Sequence, residues 1–316
     1  METVKVIVFL LLGFVLLIKG ADFFVDGSSA IAKKLKVPSL IIGLTIVAMG
    51  TSLPELAVSI TASVANSNAL AISNVVGSNL FNLMVVLGAS AVMNPIVVGE
   101  DAIKKDYPFA TICAVGLLAM GGIGMELGRG DGVILLVAFV GFILYQVIVA
   151  LKARKNTVES TDEEKIKDVP VVLSFVYIIG GAVAIKFGGD FVVDSAVAIA
   201  TAVGLSQTLI GLTICACGTS LPELVTSVVA AKKGELEMAV GNVVGSNILN
   251  ILMILGVAST ISPIAFAGEN IIDIVILLVF SVITWLFCIS KRKLEKKEGF
   301  IMLGIYLVYL IYICIR

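Results

Sequence analysis

Two identical hexapeptides, GTSLPE, place hydroxyls, a proline and a carboxylate inside hydrophobic stretches of this chain. Glu55 follows Thr51 by one helical turn and Glu223 follows Thr219 by the same spacing, so each acid shares a helix face with a hydroxyl. One copy alone is explained by a capping box, in which a serine and a glutamate satisfy the first N–H groups of a helix. Ionisable side chains at membrane depth are functional by default, and the duplication favours a pair of cation-binding acids.

The proline of each hexapeptide, Pro54 or Pro222, has no N–H to donate, and its ring clashes with the carbonyl four residues earlier. This predicts an all-α membrane protein in which two helices, the second and the seventh, are broken at GTSLPE. Carbonyls freed by such a break are costly in hydrocarbon unless something binds them. The candidate oxygens at the two breaks are the carbonyls of Ala48 and Ala216 and the hydroxyls of Thr51, Ser52, Thr219 and Ser220.

A second motif, NVVGSN followed by another asparagine three residues later, also occurs twice. Its polar residues recur every four positions and form one helical stripe in each copy: Asn74, Ser78 and Asn82, and Asn242, Ser246 and Asn250. Interhelical hydrogen bonding is the alternative role for the asparagines, and cation ligation is favoured more for Asn82 and Asn250 than for the other two. Carboxylate, amide and hydroxyl oxygens suit hard cations, and the two glutamates balance the charge of one Ca²⁺.

The composition restricts the class of protein that could carry these motifs. Of 316 residues, 59% are hydrophobic and 14% are charged, with a mean hydropathy of +1.11, which indicates a helical protein that crosses the membrane several times. The net charge of −1 gives no indication of nucleic-acid binding. The five cysteines do not have the spacing of a zinc site or of a disulfide framework. The absence of histidine removes the commonest catalytic base, and no nucleophile–base pair lies beside either glutamate, so an enzyme is not expected. We expect no cofactor and no obligate protein partner.

Apolar segments predict ten transmembrane helices in two groups of five, at residues 1–151 and 169–316, joined by a polar linker at residues 152–168. Lysine and arginine concentrate in the connections on the linker's side of the membrane. The positive-inside rule therefore predicts a cell-membrane protein with a cytoplasmic linker and both termini extracellular. Four aspartates near Lys19 and Lys186 are interpreted as interfacial ion pairs: Asp22, Asp26, Asp190 and Asp194.

The two groups of helices are copies of each other. A shift of 168 residues aligns residues 20–96 with residues 188–264 without a gap, so that IGLTIVAMGTSLPEL meets IGLTICACGTSLPEL. A unit of five helices crosses the membrane an odd number of times, so the second copy is inverted relative to the first. Inverted repeats are typical of secondary transporters, whose substrate site lies at the midplane where the copies meet.

The paired GTSLPE and NVVGSN-x-x-N segments resemble the α-repeats of the calcium/cation antiporter superfamily, most closely its prokaryotic sodium/calcium exchangers and the related potassium-dependent branch. The resemblance implies electrogenic exchange of Na⁺ for Ca²⁺ by alternating access. It also implies that Glu55 and Glu223 bridge a central calcium site, while the neighbouring oxygens complete that site and build flanking sodium sites. The set carried over is Ala48, Thr51, Ser52, Glu55, Ser78 and Asn82, with Ala216, Thr219, Ser220, Glu223, Ser246 and Asn250.

This chain departs from many members of that superfamily, which carry an aspartate at one of the positions of Asn82 and Asn250. Two alternatives to sodium-driven exchange remain open. Protonatable glutamates permit H⁺/Ca²⁺ antiport, although the hydroxyls beside each acid favour sodium. A passive cation channel is the other alternative, but pores are usually lined by rings from several subunits, whereas these motifs lie within one chain.

Overall fold

The computed structural model describes residues 2–65, 67–156, 170–204 and 216–315, and these are mostly helical. Helices satisfy every backbone hydrogen bond within the segment, which is why long apolar runs in a membrane fold this way. The first half contains α1 (Glu2–Leu35), α2 (Ser39–Thr51), α3 (Leu53–Val64), α4 (residues 68–93), α5 (residues 102–122) and α6 (Arg129–Asn156). The second half contains α7 (Val171–Ala202), α8 (Ala216–Gly218), α9 (Leu221–Lys232), α10 (Leu236–Ile261), α11 (Gly268–Lys291) and α12 (Lys296–Ile315).

Four two-residue strands, which the sequence did not predict, close the connections between helices. β1 (Ile96–Val97) pairs antiparallel with β4 (Lys293–Leu294), and Ile96 lies opposite Leu294. β2 (Glu126–Leu127) pairs in the same way with β3 (Ile264–Ala265). Both pairs join a connection of the first half to one of the second, so the two halves are tied together at these loops.

Within the described residues, seven helices are long and apolar enough to cross a membrane, or eight if the bent pair α2 and α3 is one span. The apolar part of α5, Tyr107–Gly122, has only 16 residues. The seventh predicted helix, residues 206–231, falls partly on residues 205–215, which lie outside the described residues, as does most of the predicted linker. The count of ten helices and the division at the linker therefore stay predictions.

Both GTSLPE segments coincide with an interruption of the helix at a serine. α2 and α3 meet at Ser52, which has φ −83° and ψ 9°, and their axes differ by 48°. Ser220 precedes α9 with nearly the same backbone angles, φ −92° and ψ 7°. In each case the proline is in the first turn of the following helix, where its missing N–H leaves no hydrogen bond unmade.

α4 and α10 form the centre of the molecule, since 78% of the apolar window of each is buried, against 22% for α1 and α7. α1 and α7 lie together at the side of this core and pack antiparallel through glycines. A Cβ at Gly20 would lie 3.0 Å from the carbonyl oxygen of Gly181, and one at Gly188 would lie 2.8 Å from that of Gly13. Small residues allow two membrane helices to approach until their backbones touch, and this pair does so along several turns.

Candidate cation-binding site

Both glutamates are completely buried in the first turn of a helix that follows a break. Glu55 is the third residue of α3 and Glu223 is the third residue of α9, and each has 0% of its surface exposed. The N–H groups and dipole at a helix start favour negative charge there. A buried carboxylate nevertheless needs a cation or hydrogen-bond donors around it, because removal from water is costly for a charge.

The serines of the two breaks donate hydrogen bonds across the molecule. Ser52 Oγ donates to Glu223 Oε1 at 3.0 Å, and Ser220 Oγ donates to Glu55 Oε1 at 3.1 Å. Neither serine caps its own helix with its side chain. The capping-box explanation of the motif is therefore wrong in this structure, and each carboxylate is instead oriented by the other repeat.

Threonine and asparagine side chains form a second crossed layer. Thr51 Oγ1 donates to Asn242 Oδ1 at 3.1 Å, and Thr219 Oγ1 donates to Asn74 Oδ1 at 3.3 Å. The amide of Asn74 donates to the carbonyl oxygen of Glu55 at 3.4 Å, and that of Asn242 makes the equivalent contact with Glu223 at 3.5 Å. Both ends of these two amides are thus used inside the protein, as expected for interhelical hydrogen bonding rather than ligation.

Six buried side-chain oxygens of residues predicted as ligands have no hydrogen-bond partner, three from each repeat. They are Oε2 of Glu55, Oγ of Ser78 and Oδ1 of Asn82, with Oε2 of Glu223, Oγ of Ser246 and Oδ1 of Asn250. Buried polar atoms in native proteins almost always have a partner, so these six orphan oxygens are available to a ligand. All six candidate ligand atoms are oxygens, and two of them belong to carboxylates. Hard cations prefer such a set of ligands.

The carbonyl oxygen of Ala48, another predicted ligand, already accepts a hydrogen bond within the protein. It accepts the backbone N–H of Ser52 at 3.0 Å. Ala216 is the first residue of α8, the short helix that leads into the second break. The role of these two carbonyls as ligands stays a prediction.

The motif analysis missed two asparagines, Asn79 and Asn247, which join α4 to α10 at the centre of the site. They are 0% and 5% exposed. Each donates its side-chain amide to the other's backbone carbonyl oxygen at 3.2 Å. Both belong to the repeated NVVGSN segment, but a stripe drawn every four residues passes beside them, and only the exact repetition of the segment signals their importance.

Two of the four aspartates of α1 and α7, Asp22 and Asp190, form the ion pairs predicted with Lys19 and Lys186. Lys19 Nζ is 3.9 Å from Asp22, and Lys186 pairs with Asp190. The sequence did not predict that Lys233, which follows α9, reaches α1, where its Nζ is 2.7 Å from the Asp26 carboxylate and 3.4 Å from that of Asp22. This contact joins the α1–α7 pair to the core.

Among the described residues, no group of three or more His, Cys, Asp or Glu side chains could hold a metal ion. The arrangement thus has two carboxylates among neutral oxygens, which can neutralise one divalent cation but supplies no surplus of negative charge. A site with this charge balance is suited to a cation that enters and leaves rather than to one held permanently, because release requires that binding is not too strong.

A scan against family models matched the sodium/calcium exchanger protein family over residues 5–148 and 173–315, once for each half of the chain. The sodium/calcium exchanger MaX1 of Methanosarcina acetivorans is 32% identical over 96% of this chain and 96% of its own length. The inner membrane protein YrbG of Escherichia coli (strain K12) is 32% identical over 95% of this chain and 94% of its own.

Among solved structures, the sodium-calcium exchanger NCX_Mj soaked with Na⁺ and Sr²⁺ superposes with a TM-score of 0.84. That structure is 33% identical in sequence, and the match covers 97% of this chain and 98% of the other. The similarity therefore extends through both halves of the molecule and includes the site described above.

Proposed function

This chain belongs to the sodium/calcium exchanger protein family, and from that membership we propose that it exchanges Na⁺ for Ca²⁺ across the cell membrane by alternating access. Membership makes it a multi-pass cation antiporter rather than an enzyme. The observation that carries the finer proposal is the set of six orphan oxygens, contributed equally by the two repeats around Glu55 and Glu223.

In the proposed site, the two glutamates share Ca²⁺, with Thr51 and Thr219 adding oxygens. Ser78, Ser246, Asn82 and Asn250, whose oxygens have no hydrogen-bond partner, complete the proposed sites for Ca²⁺ and Na⁺. The hydroxyls of Ser52 and Ser220 and the carbonyls of Ala48 and Ala216 flank them as sodium ligands. When Ca²⁺ leaves, Na⁺ ions take over the neutralisation of the carboxylates, so that only one kind of ion is carried in each direction.

The charge of the site determines how many Na⁺ ions per Ca²⁺ would make the exchange electrogenic. Two carboxylates balance one Ca²⁺ or two Na⁺, so exchange of more than two Na⁺ per Ca²⁺ transfers positive charge across the membrane. Sodium is favoured over H⁺ because neutral hydroxyl and amide oxygens surround both acids, and such oxygens hold an alkali cation but do not bind a proton at neutral pH.

The topology that we propose has ten helices in two inverted repeats, residues 1–151 and 169–316, with extracellular termini and a cytoplasmic linker at residues 152–168. Lysines and arginines in the connections on the linker's side support it. The two family matches, one on each half of the chain, support the division into repeats.

Ca²⁺ uptake into proteoliposomes with Na⁺, K⁺ and pH gradients imposed one at a time tests this proposal. Vesicles loaded with Na⁺ and diluted into Na⁺-free buffer should take up Ca²⁺ and develop an interior-negative potential. Uptake that follows a pH gradient and ignores Na⁺ would assign H⁺ as the driving ion. Uptake that needs no counter-ion gradient would assign a passive channel.

A further inference from the structure

Two amides of the site, those of Asn82 and Asn250, present an oxygen to the cation space although each also carries an NH₂ group of nearly the same shape. Their Oδ1 atoms are among the six orphan oxygens, while their Nδ2 atoms are hydrogen-bonded. An amide turned by 180° would instead direct two positively polarised hydrogens at a cation. Something must therefore hold both amides in the cation-binding orientation.

The hydrogen bonds of the two amides identify the groups that hold them. Asn250 Nδ2 donates to Asn79 Oδ1 at 3.0 Å, and Asn82 Nδ2 donates to Asn247 Oδ1 at 3.2 Å. A reversed amide at either position would put one carbonyl oxygen against another, which is unfavourable in a buried place. Each ion-facing asparagine is thus oriented by an asparagine of the opposite repeat.

Asn79 and Asn247 are themselves fixed in orientation. Each donates its Nδ2 to the backbone carbonyl oxygen of the other at 3.2 Å, so each must turn its Oδ1 away, toward Asn250 or Asn82. A backbone carbonyl can only accept, so this arrangement has one consistent direction of hydrogen bonding. The chain of bonds runs from the backbone of α10 through Asn79 to Asn250, and from the backbone of α4 through Asn247 to Asn82.

We propose that Asn79 and Asn247 are positioning residues of the ion site, which keep the Oδ1 atoms of Asn250 and Asn82 directed at the cation. The proposal rests on the proposed function for the identity of the cations, but it concerns the hydrogen-bond chain alone. A chain with asparagine at both ion-facing positions depends on such an arrangement. A carboxylate at either position would not, because both of its ends are oxygens.

This difference between amide and carboxylate supplies the test. Ca²⁺ binding to the purified full-length protein is measured by Ca²⁺-dependent thermal stabilisation, with Na⁺ as competitor. Loss of a group that orients a metal ligand costs roughly 10- to 100-fold in metal affinity, so Asn79→Ala should weaken Ca²⁺ binding by that factor. In the Asn250→Asp background the same Asn79→Ala change should cost no more than the roughly twofold expected of independent sites.

The crossed partner is the matched control. Asn82 is oriented by Asn247 and not by Asn79, so Asn82→Asp should leave the full cost of Asn79→Ala in place, although it adds the same charge as Asn250→Asp. The mirror experiment exchanges the roles: Asn82→Asp should relieve Asn247→Ala, and Asn250→Asp should not.

An equal cost of Asn79→Ala in the Asn250→Asp and Asn82→Asp backgrounds would overturn the proposal, because it would show a general packing or charge effect. Alanine variants that fail to fold in every background would also overturn it, since the asparagines would then serve to hold α4 against α10. The comparison of single and double variants is measured by Ca²⁺ binding, so its result does not depend on transport. A wild-type protein that binds Ca²⁺ and shows the crossed coupling, but does not exchange it for Na⁺, would refute the proposed function alone.

Discussion

In the proposed site, Glu55 and Glu223 each offer one carboxylate oxygen to the protein and the other to the ion. One oxygen accepts a serine hydroxyl of the other repeat, and the second has no partner. The serine bond fixes the direction of the carboxylate, so the free oxygen is held toward the cation before the cation arrives. Such preorganisation lowers the conformational cost of binding.

Replacing either acid should therefore abolish calcium exchange. Glu55→Gln or Glu223→Gln keeps the shape and the serine's acceptor but leaves a divalent cation half neutralised in a buried place, where uncompensated charge is costly. We expect Na⁺-driven Ca²⁺ uptake to fall to the level of empty vesicles while the protein stays monodisperse. Glu126→Gln, at an exposed glutamate in β2, is the control and should transport normally. Near wild-type uptake by either site variant would contradict the assignment of the central site.

At the scale of elements, α1 and α7 form a unit whose helices touch through backbone rather than through long side chains. A Cβ at Gly181 would lie 2.7 Å from both the carbonyl oxygen of Gly20 and the backbone nitrogen of Phe24. Contacts this short leave no freedom for one helix to slide on the other. If α1 and α7 move during exchange, we expect them to move together.

Adjacent glycines of α7 test this packing. Gly181→Ala should force the two backbones apart, and overpacking of this kind costs roughly 1–3 kcal/mol. We expect a lower melting temperature and slower Ca²⁺ exchange. Gly180→Ala adds the same methyl group one residue earlier, where no atom lies within 4 Å, and should leave both measurements unchanged. Equal behaviour of the two variants would show that the glycine contacts do not hold the pair together.

Residue types and repetition were sufficient to single out the glutamates, serines and asparagines that the structure buries, while their role as ion ligands stays a prediction. The pairing between repeats was not predictable, because nothing in the sequence says which glutamate Ser52 faces. Asn79 and Asn247 were missed for a local reason. Each directly follows a serine of the stripe, Ser78 or Ser246, so a stripe drawn every four residues passes beside it.

The whole molecule has a pseudo-twofold arrangement around the site but departs from it at its periphery. Lys233 ties the core to Asp22 and Asp26 of α1. In the repeat alignment, the position of Lys233 corresponds to Ala65, which has no ammonium group to offer Asp190 and Asp194 of α7. Among the described residues, the α1–α7 pair is thus tethered to the core by an ion pair at one end only.

Removal of this ion pair should shift the equilibrium between the two states of the proposed alternating-access exchange, in which the site is open to one side of the membrane or to the other. Partly exposed ion pairs contribute roughly 0.2–1 kcal/mol, so Lys233→Ala should change the ratio of apparent Ca²⁺ affinities on the two membrane faces by up to about fivefold. The measurement compares half-saturating Ca²⁺ for uptake and for release in oriented vesicles. Lys232→Ala, at the neighbouring lysine, is the control. A ratio that is the same in wild type and both variants would mean that the tether does not distinguish the states.

The one-sided tether has a consequence for what such a transporter can and cannot adjust. The final Ca²⁺ ratio across a membrane is dictated by the driving gradients and the stoichiometry, and no bond within the protein alters that limit. A bond that forms in only one of the two open states changes the fraction of time that the protein spends in each state. It thereby changes the rate of exchange at a given ion concentration. If the Lys233 tether forms in one state only, substitution of the residue at position 65 or 233 would change the rate of calcium exchange, while its thermodynamic endpoint stays where the gradients set it.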